Sequence, residues 1–166
     1  MDKESGTETG FSMSDPPYAF IDNEEAWAAC LQQIQGVDQI AIDLESNSLY
    51  VYRESVCLIQ LSTPSHDYVI DPLPGFSLDG LKALVEDPKV EKVFHASEYD
   101  LILLKRQYGW NAVNIFDTMW AARILGYTNM GLAHFLREFY GVTLSKKYQK
   151  TDWAKRPLSR EQLDYA

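Results

Sequence analysis

A chain of 166 residues with 46% hydrophobic and 13% aromatic side chains can bury one substantial core, which excludes a disordered polymer and fits a single domain. Cys30 and Cys57 are its only cysteines; with no Cys/His metal spacing around them, both read as reduced structural thiols rather than a disulfide framework or a zinc site. The net charge of −9 hides an asymmetry: residues 1–100 carry 5 basic and 19 acidic side chains, residues 101–166 carry 10 basic and 5 acidic, so a polyanionic partner stays open for the second part.

Residues 1–15 are small, polar and acidic, without an apolar period, and are expected to form a disordered tail. The acidic start is unlike a secretory signal and no apolar run reaches membrane-spanning length, so the chain reads as cytoplasmic, with no membrane partner. Pro16-Pro17 leads into a short strand, Tyr18 to Ile21. Asp22 or Asn23 can cap a helix running to about Gln35, with Trp27, Leu31 and Ile34 facing inward and Gly36 closing it. Gln39 to Ser46 is the central strand: Ile40, Ile42 and Leu44 alternate with Ala41, Asp43 and Glu45. Leu49 to Glu54 is an aromatic-rich loop, Val56 to Thr63 a strand, and Pro64-Ser65 turns it into another strand, Asp67 to Asp71. Three strands on such short connections form an antiparallel meander. Leu78, Leu81, Leu84 and Val85 mark a helix that ends near Asp87-Pro88. Val90 to His95 reads as a strand, Ser97 to about Tyr108 as a helix, and Val113 to Phe116 as a further short strand. Asp117 with Thr118 caps the next helix, Leu132 to Tyr140 forms another, Lys146 to Arg156 is a basic loop, and Ser159 opens a last helix. A meander followed by strand–helix alternation is an α/β architecture with a mixed sheet flanked by helices.

Three stretches carry chemistry. Asp43 and Glu45 share a strand face, where two carboxylates repel each other and are costly to desolvate unless a hard divalent cation sits between them. An exposed strand end with two solvated acids is the plain alternative. In His95-Ala96-Ser97-Glu98-Tyr99-Asp100, Ser97 as N-cap and Asp100 as N3 make an S-x-x-D capping box. Asp100 in the first helical turn is also favoured as an anion by the helix dipole, which makes it a third ligand candidate. In the closing segment, Lys146, Lys147, Lys150, Lys155 and Arg156, interleaved with Tyr148 and Trp153, can track a phosphate backbone while the aromatics stack on bases; a solvated basic loop is the alternative. Ser159 and Gln162 match a capping box of the S-x-x-Q kind.

Taken together and in order, Asp43-Leu44-Glu45, Cys57 to Leu61, His95 to Asp100, Phe116-Asp117-Thr118, Tyr140 to Leu144, Thr151-Asp152-Trp153, Arg156-Pro157-Leu158 and Gln162 to Ala166 resemble the 3′–5′ exonuclease domain of the ribonuclease D family. That family lies within the DEDD superfamily, and the resemblance covers roughly residues 18–166. It implies a ribonuclease H-like fold and a two-metal hydrolysis of phosphodiesters with Mg²⁺ or Mn²⁺. Asp43 would bridge both ions, Glu45 would bind the nucleophile-side ion, Asp100 would hold the second, and Tyr165 would orient the attacking water, as in the tyrosine subclass. Asp117 is expected to be a structural helix cap, not a ligand. The family's third motif places an aspartate four residues after its tyrosine, at position 169 here, so residues 16–166 are expected to form a C-terminally incomplete domain with impaired activity. The implied partner is the single-stranded 3′ end of RNA, as in trimming of tRNA precursors. The alternatives are a DNA exonuclease of the repair or proofreading type and a non-catalytic nucleic-acid-binding module on the same fold.

Overall fold

The strand that carries the D-x-E motif, β2 (Gln39–Ser46), is also the middle of the molecule. In the computed structural model, which describes residues 17–166, Ile40, Ile42 and Leu44 on its one face are buried at 9% exposure or less. The tail expected over residues 1–15 lies outside the described residues. Burying each such side chain contributes about 1.5–3 kcal/mol, which pins the register, because a one-residue slip would turn the apolar set outward.

The chain begins with β1 (Tyr18–Ile21) and α1 (Glu24–Gln33), where Asn23 is the N-cap, accepting from the Ala26 N–H at 2.9 Å. The helix ends two residues before the expected Gln35, and its buried face is Trp27, Cys30 and the C-cap residue Ile34; Leu31 is only half-buried. After β2 come β3 (Val56–Ser62) and β4 (Asp67–Ile70), then α2 (Asp79–Glu86). Next are β5 (Glu91–Phe94), α3 (Glu98–Tyr108), β6 (Ile115–Asp117), α4 (Thr118–Ile124), α5 (Leu132–Tyr140) and α6 (Arg160–Leu163).

Six strands form one mixed sheet in the order β1-β4-β3-β2-β5-β6. The meander β2-β3-β4 is antiparallel, as its short connections require, while β5 and β6 run parallel to β2. β1 joins the far edge parallel to β4, a pairing between segments distant in sequence. Helices α1, α2 and α3 cover one face, where Trp27, Ile34, Leu81, Val85, Leu103 and Leu104 pack on Ile40, Ile42, Ile59 and Ile70. Lys92 is buried in that layer, and its Nζ donates to the carbonyls of Val90 (2.6 Å) and Asp87 (2.7 Å), closing the C-terminal end of α2 as a cation should. Among the described residues no helix is long and apolar enough to cross a membrane.

The other face of the sheet has thinner cover. There a smaller apolar cluster of Cys57, Leu58, Val69 and Trp153 is roofed by Tyr148, Leu158, Leu163 and Tyr165. Residues 147–166 thus lie against β3 and β4, which leaves the face of β2 beside them open.

Candidate active site

Asp43 and Glu45 project from that open face, opposite Gln60 and Leu58 of β3. Immediately after Glu45 the register breaks: Glu45 pairs with Leu58 but Ser46 with Val56, so Cys57 is an extra, bulged residue. The bulge ends the β2–β3 ladder and releases the chain into a loop tied by the Asn47 side chain, which accepts from the Ser55 N–H at 2.7 Å. Asp100 arrives from the first turn of α3 and is buried at 8% exposure.

The three carboxylates act on one another. Burial pushes Glu45 up to about 8, reinforced by the charges of Asp43 and Asp100. Asp100 is pushed up to about 7 by burial and by the charges of Asp43 and Asp117. Asp43 keeps an edge open to solvent, yet desolvation by the surrounding protein still raises its pKa against the Leu44 N–H and the His95 charge, which favour the anion. Tyr165 is raised too, by burial first and then by Glu45 and Asp43, which puts its phenol beside the same pair. Its ring is held by stacking on Trp153 (centroids 6.0 Å apart) and by the edge of Tyr148 (5.9 Å). So the structure brings Asp43, Glu45, Asp100 and Tyr165 together from three separate segments, β2, α3 and the turn at the end of α6.

Among the described residues no three Asp, Glu, His or Cys side chains are closed into a metal cage. The carboxylates form an open, all-oxygen donor set under mutual repulsion. That suits a hard divalent ion of the Mg²⁺ kind, which takes one or two carboxylates and fills its other positions with water and phosphate oxygens.

Asp117 does cap α4, accepting from the N–H groups of Met119 (2.9 Å) and Trp120 (3.2 Å). It does more than the sequence indicates. The same carboxylate accepts from the N–H of Ala96 (3.1 Å) and from both the N–H and the hydroxyl of Ser97 (2.7 Å each). Burial alone would raise its pKa; the bonds from Ser97, Trp120 and Ala96 more than offset that and hold it low. The S-x-x-D capping box is therefore not formed. Ser97 occupies the N-cap position of α3 in a helical rather than an extended conformation and makes no side-chain cap bond; its hydroxyl is turned to Asp117, to which it donates. Between His95 and Ser97, Ala96 takes φ +62°, a left-handed conformation that Asp117 holds in place at the entrance to the helix carrying Asp100.

His95 is a neighbour of Asp43 that its own stretch of sequence does not single out. The Thr118 hydroxyl donates to the Phe94 carbonyl at 3.0 Å, so it accepts from His95 Nδ1 at 2.9 Å, which fixes the ring. Burial lowers the His95 pKa against the charges of Asp117 and Asp43. Its ring and Asp43 line a cavity of about 340 Å³ with Gln60, Ser62, Thr118 and Leu132. Gln60 also has a buried Oε1 without a hydrogen-bond partner among the described residues. The only local signal for His95 was its place at a strand end; its proximity to Asp43 requires β5 to lie beside β2.

The basic segment divides. Arg156 is not a free phosphate contact: it donates to Asp71 through Nε (2.5 Å) and Nη2 (2.8 Å), and to the carbonyls of Trp153 (2.6 Å), Lys155 (2.8 Å) and Cys57 (2.9 Å). This guanidinium ties residues 153–156 to the bulge of β3 and to buried Asp71, and is used up in doing so. Trp153 is not a base-stacking platform either, at 1% exposure under the roof of the small cluster. Lys155 is exposed and only loosely paired with Asp152, at 3.7 Å. Lys147 lies over the Tyr148 ring at 4.8 Å, and Lys146 and Lys150 are exposed. The Lys150 carbonyl accepts from the Tyr50 hydroxyl at 2.5 Å, which ties the loop after β2 to the segment opposite. The Ser159 capping box on α6 is formed, with Gln162 reaching back to the Ser159 N–H at 2.8 Å, and it presents Tyr165 to the site.

A family model described as 3′–5′ exonuclease matches residues 18–166. The exosome complex component 10 homolog of Caenorhabditis elegans is 38% identical over 156 residues, 93% of this chain and 18% of that protein. Among solved structures, the catalytic core of RRP6 from Trypanosoma brucei is 34% identical with a TM-score of 0.84, covering 94% of this chain and 44% of that one. Escherichia coli RNase D, described as an exoribonuclease involved in structured RNA processing, is 33% identical with a TM-score of 0.82, covering 89% and 40%. The chain thus spans less than a quarter of the length of the curated relatives it matches.

Proposed function

This chain belongs to the 3′–5′ exonuclease family, and we propose that it removes nucleotides one at a time from the single-stranded 3′ end of RNA by metal-dependent hydrolysis. The observation that carries the reading is the convergence of Asp43, Glu45, Asp100 and Tyr165, with carboxylates that repel one another until cations balance them. The family is divalent-metal dependent. Here Asp43, Glu45 and Asp100 would hold two ions, Mg²⁺ or Mn²⁺, which supply activation of water and neutralisation of phosphate charge. Asp43, whose charge acts on both of the others, would be the shared ligand; Glu45 would serve the side of the attacking water and Asp100 the side of the leaving oxygen. Tyr165, a neutral phenol whose pKa burial and the neighbouring carboxylates raise further, would hold the attacking water through its hydroxyl. The water oxygen bonds to phosphorus as the bond to the 3′ oxygen of the preceding nucleotide breaks. That oxygen keeps the electron pair and takes a proton, and a nucleoside 5′-monophosphate leaves.

RNA over DNA, and structured precursors such as those of tRNA as the substrates trimmed, are supported by the relatives: one is named for the exosome and another as an exoribonuclease of structured RNA. The test is digestion of 5′-labelled single-stranded RNA and DNA of one sequence, with and without Mg²⁺ or Mn²⁺. Metal-dependent shortening from the 3′ end, faster on RNA and lost in Asp43→Asn, is the expected result. Faster shortening of DNA would move the substrate to DNA; binding without any shortening would replace the enzyme by a binding module.

A further inference from the structure

A second cavity, of about 380 Å³, lies beside the first turn of α5, lined by Asn129, Gly131, His134, Arg137, Thr143 and Lys146. The Asp43 cavity is lined from the same helical turn, by Leu132. Two cavities that open from one helical turn are within reach of consecutive nucleotides of a single strand that bends around that turn.

Its chemistry is cationic in an acidic molecule. Arg137 enters from α5 and Lys146 from the segment after it, and among the described residues neither forms an ion pair. Beside them His134 Nε2 meets Glu138 at 2.7 Å, while its Nδ1 is buried with no partner among the described residues; with both ring nitrogens protonated, that Nδ1–H is a donor for a phosphate oxygen. α5 starts at Gly131 without a side-chain cap, so its first N–H groups add partial positive charge at the rim. Thr143 and Asn129 bring neutral hydrogen-bonding groups. Ala133 and Leu144 complete the lining, and two cations without ion pairs, an uncapped helix start and neutral polar groups around one concavity match a phosphodiester better than a cationic ligand.

We propose that this cavity is a phosphate subsite that holds the backbone of the strand whose 3′ end lies at Asp43 and Glu45. The proposal rests on the reading of the chain as an exonuclease and deepens it, by assigning part of the grip on the strand to Arg137 and Lys146 rather than to Arg156 and Trp153.

Binding of a 5′-labelled single-stranded RNA, followed by fluorescence anisotropy in EDTA to prevent hydrolysis, tests it across a series of salt concentrations. The double variant Arg137→Gln/Lys146→Gln is compared with Lys82→Gln/Lys89→Gln, which removes the same charge from the face covered by α2. In the first variant the slope of log K against log salt falls by about 0.7 for each phosphate the cavity holds, with the melting temperature unchanged; in the second it stays at the wild-type value. A wild-type slope in the first variant, or an equal fall in both, overturns the subsite. Because hydrolysis is not the readout, a chain that binds as expected but cuts nothing overturns the exonuclease reading and leaves the subsite standing. Cutting with an unaltered slope does the reverse.

Discussion

The two faces of the sheet are built on opposite plans. Beneath α1, α2 and α3 the strands meet a continuous apolar layer in which Ile34, Ile59, Ile70, Leu81 and Leu103 are fully buried. On the other face the apolar cluster is small, one ion-paired strap holds its cover, and β2 presents carboxylates instead of aliphatics. Alternation along β2 makes both faces from one strand: Ile42 and Leu44 anchor the backbone from which Asp43 and Glu45 project. The closed face supplies the rigidity that keeps repelling charges together, and the open face uses it.

That contrast breaks most sharply at Asp43. Asp43→Asn should lower metal-dependent turnover by more than the roughly 100-fold that loss of an outer-shell partner of a metal site costs, with metal-free stability to urea unchanged or slightly raised, since one of three repelling charges is gone. Turnover within tenfold of wild type would remove Asp43 from the site.

Next in size is the strap. Arg156→Ala leaves the buried Asp71 carboxylate unpaired and strips the Cys57 carbonyl of its donor, so it should destabilise by about 3 kcal/mol. The double change Asp71→Leu/Arg156→Met should recover most of that, because apolar replacement of a buried pair is often neutral. Urea denaturation of the three proteins decides it; a harmless Arg156→Ala would mean that the open face is held otherwise.

On the closed face, Ile42→Ala should cost about 2–5 kcal/mol in the same assay, although the residue is next to Asp43 in sequence. A cost below 1 kcal/mol would erase the distinction between the faces.

The charge on the open face sets a pH dependence in metal-free protein. Glu45 rises from 4.5 to about 8 and Asp100 from 3.8 to about 7 on folding, so between these limits the folded state binds more protons than the unfolded one. Stability must then fall as pH climbs from about 4 to about 8. The melting temperature in EDTA should follow that slope, and Glu45→Gln should flatten its upper part. A melting temperature that rose over this range would contradict the electrostatics described for the site.

The smallest expected effect is at Ala96, whose φ of +62° costs a non-glycine residue about 1 kcal/mol. Ala96→Gly relieves the strain and loosens the unfolded chain, two terms of opposite sign, so a stabilisation of at most about 1 kcal/mol is expected. A clear loss of stability would show that the methyl group itself packs.

Much of this was open to inspection before folding, because it is local. The period of β2, the Asn23, Asp117 and Ser159 caps, the short turns of the meander and the limits of α5 each depend on neighbours within a few residues, which is the range over which hydrogen bonding and side-chain alternation act. The identity of Asp43 and Glu45 as a strained pair follows from the same alternation. What the chain order could not reveal depends on partners far apart. A lysine- and arginine-rich loop looks the same whether its guanidinium meets RNA or an aspartate 85 residues away, and only the seating of residues 153–156 on the β3 bulge spends Arg156 on Asp71. Trp153 is likewise a surface aromatic until the sheet slides beneath it. Ser97 satisfies every local rule for a capping box, yet Asp117, 20 residues on, accepts from both its N–H and its hydroxyl and holds it in a helical conformation that does not cap. Local physics selects what each segment can be; the sheet order decides which of its polar groups are left for function.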